Sequence, residues 1–345
     1  MNAISVVVGS AHGARMAIST AFARHSVVMF DAHRPVTLHL LKTLLLAALS
    51  TFLLCAGATG AATFHEGDAA YQRADYERAY SAMRTLALQG NANAQANLGL
   101  MHRNGQGAAQ SYVEAIQWYR LAAEQNDANG QFGLGYGYEV GQGVTQNHAE
   151  ALKWYHLAAA QGNAHAQVNL GIMYRDGRGI AQDLAVALAW YRLAAAQGNA
   201  VGQYNVGVAY NEGQGVAHDP AEAFKWYRLA AVQGDADAQN NLGVLYNKGR
   251  GVTRDTVEAV KLYRLAALQG NAASQNNLGV MYADGQGVAQ DDVRALMWFK
   301  IGAYSGDTNA MKNEIVAAES MTPQQIAEAR KMARDCMGNR LAGCE

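Results

Sequence analysis

A 36-residue period constrains this chain more than any other feature of its sequence. Six units follow one another without a gap, and each begins at an alanine. The six starts are Ala92, Ala128, Ala164, Ala200, Ala236 and Ala272. A fixed period of this length is typical of a solenoid, in which stacked units share one continuous core. The length of 345 residues therefore does not indicate two independent domains.

Each unit predicts two helices joined by a glycine-containing turn. In the third unit, Ala166 and Leu170 fall at helical spacing and indicate one buried face. Gly177 and Gly179 end this first helix because glycine adopts backbone angles that other residues avoid. Asp183 begins the second helix, and the turn is too short for anything but an antiparallel pair. The pattern predicts twelve helices in six hairpins.

Two further columns of the repeat predict local structure. A glycine recurs within the first helix and indicates that two helices approach too closely there for a side chain. Its members are Gly99, Gly135, Gly171, Gly207, Gly243 and Gly279. At the start of the second helix, a capping residue followed by glutamate three positions later predicts a capping box. These pairs are Ser111/Glu114, Asn147/Glu150, Asp219/Glu222 and Asp255/Glu258.

The motifs ANAQANLGLMHRNGQG, AHAQVNLGIMYRDGRGIAQD and ASQNNLGVMYADGQGVAQD resemble Sel1-like repeats, relatives of tetratricopeptide repeats. The resemblance covers Ala92 to Asp307, and it is weaker over residues 64–91 and 321–327. It implies an all-α, right-handed α-solenoid that serves as an adaptor or scaffold and binds a protein or peptide. We expect residues 64–91 to form an N-terminal capping helix pair and residues 308–345 a C-terminal capping helix and tail.

The second unit departs from the pattern at two positions of its first helix. Gly133 replaces asparagine, and Gly137 replaces methionine. Because glycine weakens a helix by about 1 kcal/mol, we expect this helix to be the least stable one or the most closely approached one.

The N-terminal segment carries an export signal. Thr43–Cys55 is an uncharged, mostly apolar run that follows basic residues and precedes small ones. This arrangement predicts a signal peptide over residues 29–62, cleaved after Ala58 or Ala62, and a periplasmic or secreted protein. The alternative is an uncleaved segment that anchors the chain to the inner membrane. Residues 1–28 fit neither, and our hypothesis is that they are a non-native or disordered prefix.

The three cysteines are Cys55, Cys336 and Cys344, and none lies in a repeat. Removal of the signal peptide leaves Cys336 and Cys344 in an oxidising compartment, which predicts a disulfide between them. The alternative is two free thiols that face solvent. The histidines are scattered without ligand spacing, so the sequence predicts no metal site and no cofactor.

Charge and motifs disfavour several function classes. The net charge is −1 without a basic stripe, so we expect no nucleic-acid binding. No nucleophile–base pairing or phosphate loop is evident, and the recurrent Gly-x-Gly is turn chemistry. We therefore predict no catalytic residue. The alternative is an envelope enzyme or binder that acts on a cell-wall-derived or β-lactam-like ligand. Cysteine-rich members of the family with such an association carry a cysteine pair in each repeat, which this chain lacks.

Two sets of first-helix residues are candidates for partner binding on the concave face of a monomer. The first set is a ladder of amides: Asn97, Asn169, Asn205, Asn241 and Asn277. Amides can pair with any peptide backbone, although each Asn could instead bond to the neighbouring repeat and hold the stack. The second set varies between repeats: Ala96, Phe132, Val168 and Tyr204, with Arg103, Arg175 and Asn211 one or two turns on. Its alternative is a solvated helix face.

Overall fold

The computed structural model describes residues 63–341 and 343–344, and within these residues it contains sixteen helices and no strand. The predicted prefix and signal segment lie outside the described residues. The helices are α1 (Phe64–Gln72), α2 (Tyr76–Leu88), α3 (Ala92–Asn104), α4 (Tyr112–Glu124), α5 (Ala128–Val140), α6 (His148–Ala160), α7 (Ala164–Asp176), α8 (Leu184–Ala196), α9 (Ala200–Glu212), α10 (Pro220–Val232), α11 (Ala236–Lys248), α12 (Thr256–Leu268), α13 (Ala272–Asp284), α14 (Asp292–Tyr304), α15 (Thr308–Glu319) and α16 (Pro323–Gly338).

The repeats are six helical hairpins, α3–α4 to α13–α14, and each of these twelve helices packs against the next along the chain. Two pairs of first helices from neighbouring repeats also contact each other, α3 with α5 most extensively and α7 with α9, whereas no comparable contact joins the second helices of these six repeats. The first helices therefore lie on the inner, concave side. This architecture confirms the predicted all-α solenoid. None of the helices in residues 63–341 is both long and apolar enough to cross a membrane.

The recurrent glycine of each first helix accommodates an aromatic ring rather than a second backbone. A Cβ added to Gly171 would lie 2.3 Å from the ring of Tyr191, and one added to Gly279 would lie 2.6 Å from the ring of Phe299. The ring comes from the second helix of the same hairpin, and Tyr191 is only 3% exposed. The predicted close approach is correct, but its partner is a side chain that fills the space a Cβ would need.

The glycine loop of each repeat rests on the repeat before it. Gly143 has φ +76°, and a Cβ there would lie 2.2 Å from the carbonyl oxygen of Tyr112, the first residue of α4. In the same way, a Cβ at Gly215 would lie 2.3 Å from the carbonyl oxygen of Leu184, the first residue of α8. A branched residue that follows the loop, such as Val144 in the second repeat, packs against the core. The loops thus fix the spacing between repeats.

Each predicted capping box forms one of its two hydrogen bonds: the cap side chain accepts from the glutamate N–H, but the glutamate side chain does not bond back to the cap. Asn147 accepts a hydrogen bond from the backbone N–H of Glu150 (3.1 Å), as a cap should. Its own N–H, however, donates to the carbonyl oxygen of Tyr138 in the preceding helix (2.8 Å), so it has no need of the glutamate. The Glu150 carboxylate pairs with Lys153 instead (2.5 Å). Tertiary structure supplies a backbone acceptor that outcompetes the local side chain.

The C-terminal helix closes the array on its outer side. In five repeats a leucine of the second helix is 44–52% exposed; these are Leu121, Leu157, Leu193, Leu229 and Leu265. Ile301, the equivalent residue of α14, is 1% exposed, because α16 packs along α14 and contributes Ala333 and Cys336 to the same cluster. Cys344 joins this cluster, and its Cα lies 5.2 Å from that of Cys336, with the two sulfur atoms bonded.

Candidate partner-binding groove

The five asparagines of the predicted ladder do not form one continuous set. Asn97 and Asn205 donate to carbonyl oxygens of their own helices, at Asn93 (3.0 Å) and Val201 (2.8 Å). Asn241 accepts from the amide of the residue before it in the same helix (3.1 Å). Of these three, Asn97 bonds solely within its own helix among the described residues, whereas Oδ1 of Asn205 also accepts from Arg175 of the preceding repeat (3.4 Å). The three side chains therefore do not present a repeated array of free amides.

The other two asparagines reach the preceding repeat. Asn169 donates to the hydroxyl oxygen of Tyr155 (2.8 Å), and Asn277 donates to Oδ1 of Asn240 (3.0 Å). Both bonds cross an interface between repeats, as the alternative interpretation of the ladder requires. At these two positions the amide is already engaged in the stack.

A different amide column, which sequence reasoning missed, connects the repeats throughout. Its members are Gln95, Gln131, Gln167, Gln203, Gln239 and Gln275, all at most 6% exposed. Gln167 is typical: its Nε2 donates to the carbonyl oxygen of Ala159 in the preceding repeat (3.2 Å), and its Oε1 accepts from Gln197 at the end of its own hairpin (2.8 Å). The available signal was that this column is glutamine in every repeat, whereas the asparagine column is interrupted by Gly133.

The second predicted set divides by burial. Ala96 and Val168 are each 5% exposed and belong to the packed interior, so little of their surface is open to a partner. Phe132 and Tyr204 are half-buried, as are Arg103, Arg175 and Asn211. Only the larger side chains of this column thus reach the concave surface.

An open groove of about 550 Å³ lies on the concave face between the first helices of the first three repeats. Residues predicted from the sequence contribute Asn97, Arg103 and Phe132 to its lining. Ala96, also predicted, lies at its floor, and Tyr136 and His165 are among the lining residues that were not predicted. The Phe132 ring lies 5.7 Å from the His165 ring, which extends an aromatic surface from α5 to α7. The remaining predicted residues, from Val168 onward, lie outside this groove.

The groove exists because the second repeat carries Gly133 in place of asparagine. A Cβ at this position would lie 2.5 Å from the ring of Tyr119, so α5 packs closely against α4. Gly137 on the same helix would bring its Cβ to 2.1 Å from Cδ1 of Ile116. These contacts agree with the prediction that this helix is closely approached, and the absent asparagine side chain leaves room on the concave surface.

Arg103 is the cation of the groove. Its Nε donates to Oδ1 of Asn104 at 3.4 Å, and its guanidinium carbon lies 5.3 Å from the centre of the Tyr136 ring. Within residues 63–341, no carboxylate forms an ion pair with it. The stacked geometry is typical of a cation–π contact and fixes the orientation of the guanidinium.

Arg175 occupies the same repeat position two units later, in a very different setting. Its Nε donates to Oδ1 of Asp176 (2.8 Å), and one terminal nitrogen donates to Oδ1 of Asn205 (3.4 Å). The hydrogen bond to Asp176 raises the pKa of Arg175, and the same bond, with help from Arg178, lowers the pKa of Asp176. This cation is neutralised within its own repeat.

Between the two arginines, Glu139 occupies the equivalent position of the second repeat. It accepts a hydrogen bond from the hydroxyl of Tyr155 (2.6 Å) and a longer one from Arg178 (3.5 Å). Burial, and after it the charge of Glu139, raises the pKa of Tyr155 far above its ordinary value. Burial likewise raises the pKa of Tyr119, in the groove wall, to about 12. Both phenols are thus neutral at physiological pH.

Across residues 63–341 and 343–344, no three histidine, cysteine or acidic side chains are placed to hold a metal ion. What the arrangement offers is a shaped surface: one oriented cation, four aromatic rings and amide groups at the rim. Such a surface can bind a ligand by stacking and by charge.

Comparisons with known proteins agree with this architecture. The family model described as Sel1 repeat matches residues 92–127, 128–163, 164–199, 200–235, 236–271 and 272–307. A Sel1 repeat protein from Oxalobacter formigenes is 34% identical, with a TM-score of 0.64 over 70% of this chain and 97% of that one. A protective antigen of uropathogenic Escherichia coli displaying an SLR fold is 25% identical, with a TM-score of 0.41 over 78% of this chain and 81% of that one. A search of curated proteins found no match.

Proposed function

Because the chain belongs to the Sel1 repeat family, whose members are typically protein-interaction scaffolds, we propose that it binds a protein or peptide along its concave groove. The single observation that carries this proposal is the groove on α3, α5 and α7. Its lining differs from the equivalent surface of the later repeats at Gly133, which is asparagine in the other five repeats, and in the free guanidinium of Arg103, whose counterpart Arg175 is paired with Asp176.

The proposal also places the repeats in the cell envelope, as a periplasmic or secreted protein. Support comes from the sequence of the 29–62 segment, with its basic start, apolar run and small residues. The same proposal includes the Cys336–Cys344 disulfide, because the two Cα atoms lie well within the separation that a bridge permits. Both cysteines are buried in the closing cluster, so the bridge would hold the end of the chain against α14.

Site-specific photo-crosslinking tests the concave surface directly. His165 is exposed and lines the groove, so a photoreactive amino acid placed there leaves the core intact. Leu193, 50% exposed on a second helix, serves as the matched control position. In native cells that produce the full chain, we expect one stoichiometric protein adduct from residue 165 and none from residue 193.

Two outcomes would overturn the proposed function. One is an equal adduct pattern at both positions, which would mean that the groove has no special role. The other is turnover of a β-lactam or a muropeptide by the purified chain, which would favour the enzyme class. Cell fractionation and N-terminal sequencing test the envelope location, for which we expect a mature chain that begins after Ala58 or Ala62. Non-reducing mass spectrometry of envelope material should find no alkylatable thiol at Cys336 or Cys344.

A further inference from the structure

We propose that the groove recognises a carboxylate on the partner segment, and that the guanidinium of Arg103 binds it. This inference rests on the proposed function and adds the chemistry of the ligand: an acidic peptide segment, whose Asp or Glu side chain supplies the carboxylate.

The first observation is that Arg103 has no counter-ion in the part of the chain that the structure describes. The only hydrogen bond of its side chain to these residues leaves from Nε, to the neutral amide of Asn104. Both terminal nitrogens are left without an acceptor there, and Arg103 lines the groove. Arginine keeps its charge at any physiological pH, and its planar fork matches the two oxygens of a carboxylate. The groove thus presents one unoccupied, bidentate anion-binding group.

The second observation is that the acidic residues nearby are committed elsewhere. Glu139, at the equivalent position of the adjacent repeat, is bonded to Tyr155 and Arg178, and its side chain is only 12% exposed. Asp176 is bonded to Arg175 and Arg178. Of the three charged residues that occupy this repeat position, only Arg103 is left for a ligand.

The third observation is that the surroundings strengthen such a pair. Tyr136 stacks on the guanidinium, and Tyr119 and Phe132 form apolar walls beside it. Apolar walls exclude water and lower the local dielectric constant, so a charge pair there is stronger than one on an open surface. The exposed face of Phe132 also offers a surface for an apolar residue of the ligand next to its carboxylate.

Two peptide arrays provide the test. Both carry random ten-residue peptides, one with amidated and one with free C-termini, and both are probed with the fluorescently labelled full chain. Enrichment of Asp or Glu on the amidated array is the expected result. Binding confined to the array with free C-termini would overturn the assignment to an acidic side chain, because it would identify a chain end instead. The strongest peptide is then synthesised together with its Asp→Asn or Glu→Gln counterpart, and affinities are measured by fluorescence anisotropy.

Arg103→Gln should weaken binding of the acidic peptide by about 10- to 100-fold, the range for one hydrogen-bonded charge. The neutral counterpart should show the same loss with the unchanged chain, and no further loss with the variant. Arg103→Lys, which keeps the charge without the fork, should give an intermediate loss. Arg228→Gln, the same charge change at an exposed residue of α10, should bind like the unchanged chain. Thermal melting checks that each variant is folded.

The contrary outcomes separate this inference from the proposed function. Peptides that crosslink at residue 165, show no carboxylate preference and bind Arg103→Gln equally would overturn the inference and leave the scaffold function standing. A chain that captures neither peptide nor protein at residue 165 would overturn both.

Discussion

Arg103 and Arg175 occupy one position of the repeat, two units apart, yet they lie in opposite environments. Arg175 is followed by Asp176 and is neutralised at 2.8 Å, whereas Arg103 is followed by Asn104 and has an amide at 3.4 Å. The fold requires neither arrangement, because the helices around them have the same bounds within their repeats. The difference teaches that a repeat position acquires a binding role when its internal partner is absent. We call the region around Arg103, between repeats 1 and 2, the open junction, because its cation is left for a ligand. We call the region around Glu139 and Arg175, in repeats 2 to 4, the closed junction, because its charged side chains are bonded to one another.

The largest effect should come from filling the open junction. Gly133→Asn restores the residue of the other repeats, but its Cβ would lie 2.5 Å from the Tyr119 ring. Moving that buried ring should cost about 2–3 kcal/mol in free energy of unfolding, measured by urea denaturation, and should abolish peptide binding. The control is Asn97→Gly, whose side chain bonds only within its own helix; it should cost less than about 1 kcal/mol. An unchanged stability for Gly133→Asn would show that the glycine is not needed for the close packing.

Removing one tyrosine hydroxyl from each junction should give the next largest difference in free energy of unfolding. Tyr155→Phe removes the donor to Glu139 and the acceptor for Asn169, so it should cost about 1.5–3 kcal/mol in free energy of unfolding. Tyr119→Phe should cost less than about 0.5 kcal/mol, because the Tyr119 hydroxyl makes no hydrogen bond within the described residues. Chemical denaturation of both variants measures the difference. Equal losses would contradict the distinction between an open and a closed junction.

A third change converts the open junction into the closed one. Asn104→Asp places a carboxylate beside Arg103, as Asp176 stands beside Arg175. The internal pair should compete with the ligand and lower the affinity for an acidic peptide by about 5- to 10-fold, while stability changes by less than about 0.5 kcal/mol. Val140→Asp adds the same charge at the equivalent position of the second repeat, next to Glu139 rather than an arginine. If this control weakens binding as much, the effect is general repulsion and not internal pairing.

The smallest effect concerns the melting temperature at acidic pH. Hydrogen bonding to Arg175 holds the pKa of Asp176 below its ordinary value, so the folded state favours the ionised form. The stability from this pair is present above the ordinary Asp pKa and is lost as the pH falls through the lowered value. Below about pH 4, the melting temperature of the unchanged chain should therefore fall more steeply than that of Asp176→Asn. Parallel melting curves from pH 7 to pH 3 would show that the pair contributes no pH dependence.

The helices could be predicted from the sequence where the signals that form them lie within a few residues of each other. Periodicity, caps such as Asp183 and the loop glycines act within a few residues, and the structure reproduces the hairpins they predict. The capping boxes failed in part because the carbonyl oxygen of Tyr138 lies close to Asn147 only after the hairpin folds. A local rule cannot include a competitor that tertiary structure brings in.

The groove was harder to predict because two kinds of amide had the same spacing. Asparagine and glutamine columns both recur every 36 residues, and only the rotation of the helix decides which of them faces the neighbouring repeat. Gln167 does so, whereas Asn97 bonds to its own helix. The unpaired state of Arg103 could have been suspected from Asn104, but the commitment of Glu139 to Tyr155 depends on packing alone.

The direct contact between α3 and α5 sets a length scale for anything that lies along the groove. Packed helices have axes about 8–10 Å apart, and an extended peptide advances about 3.3 Å per residue. The step from α3 to α5 therefore corresponds to about three residues of an extended ligand. A segment with its carboxylate at Arg103 would reach α5 about three residues further along its chain.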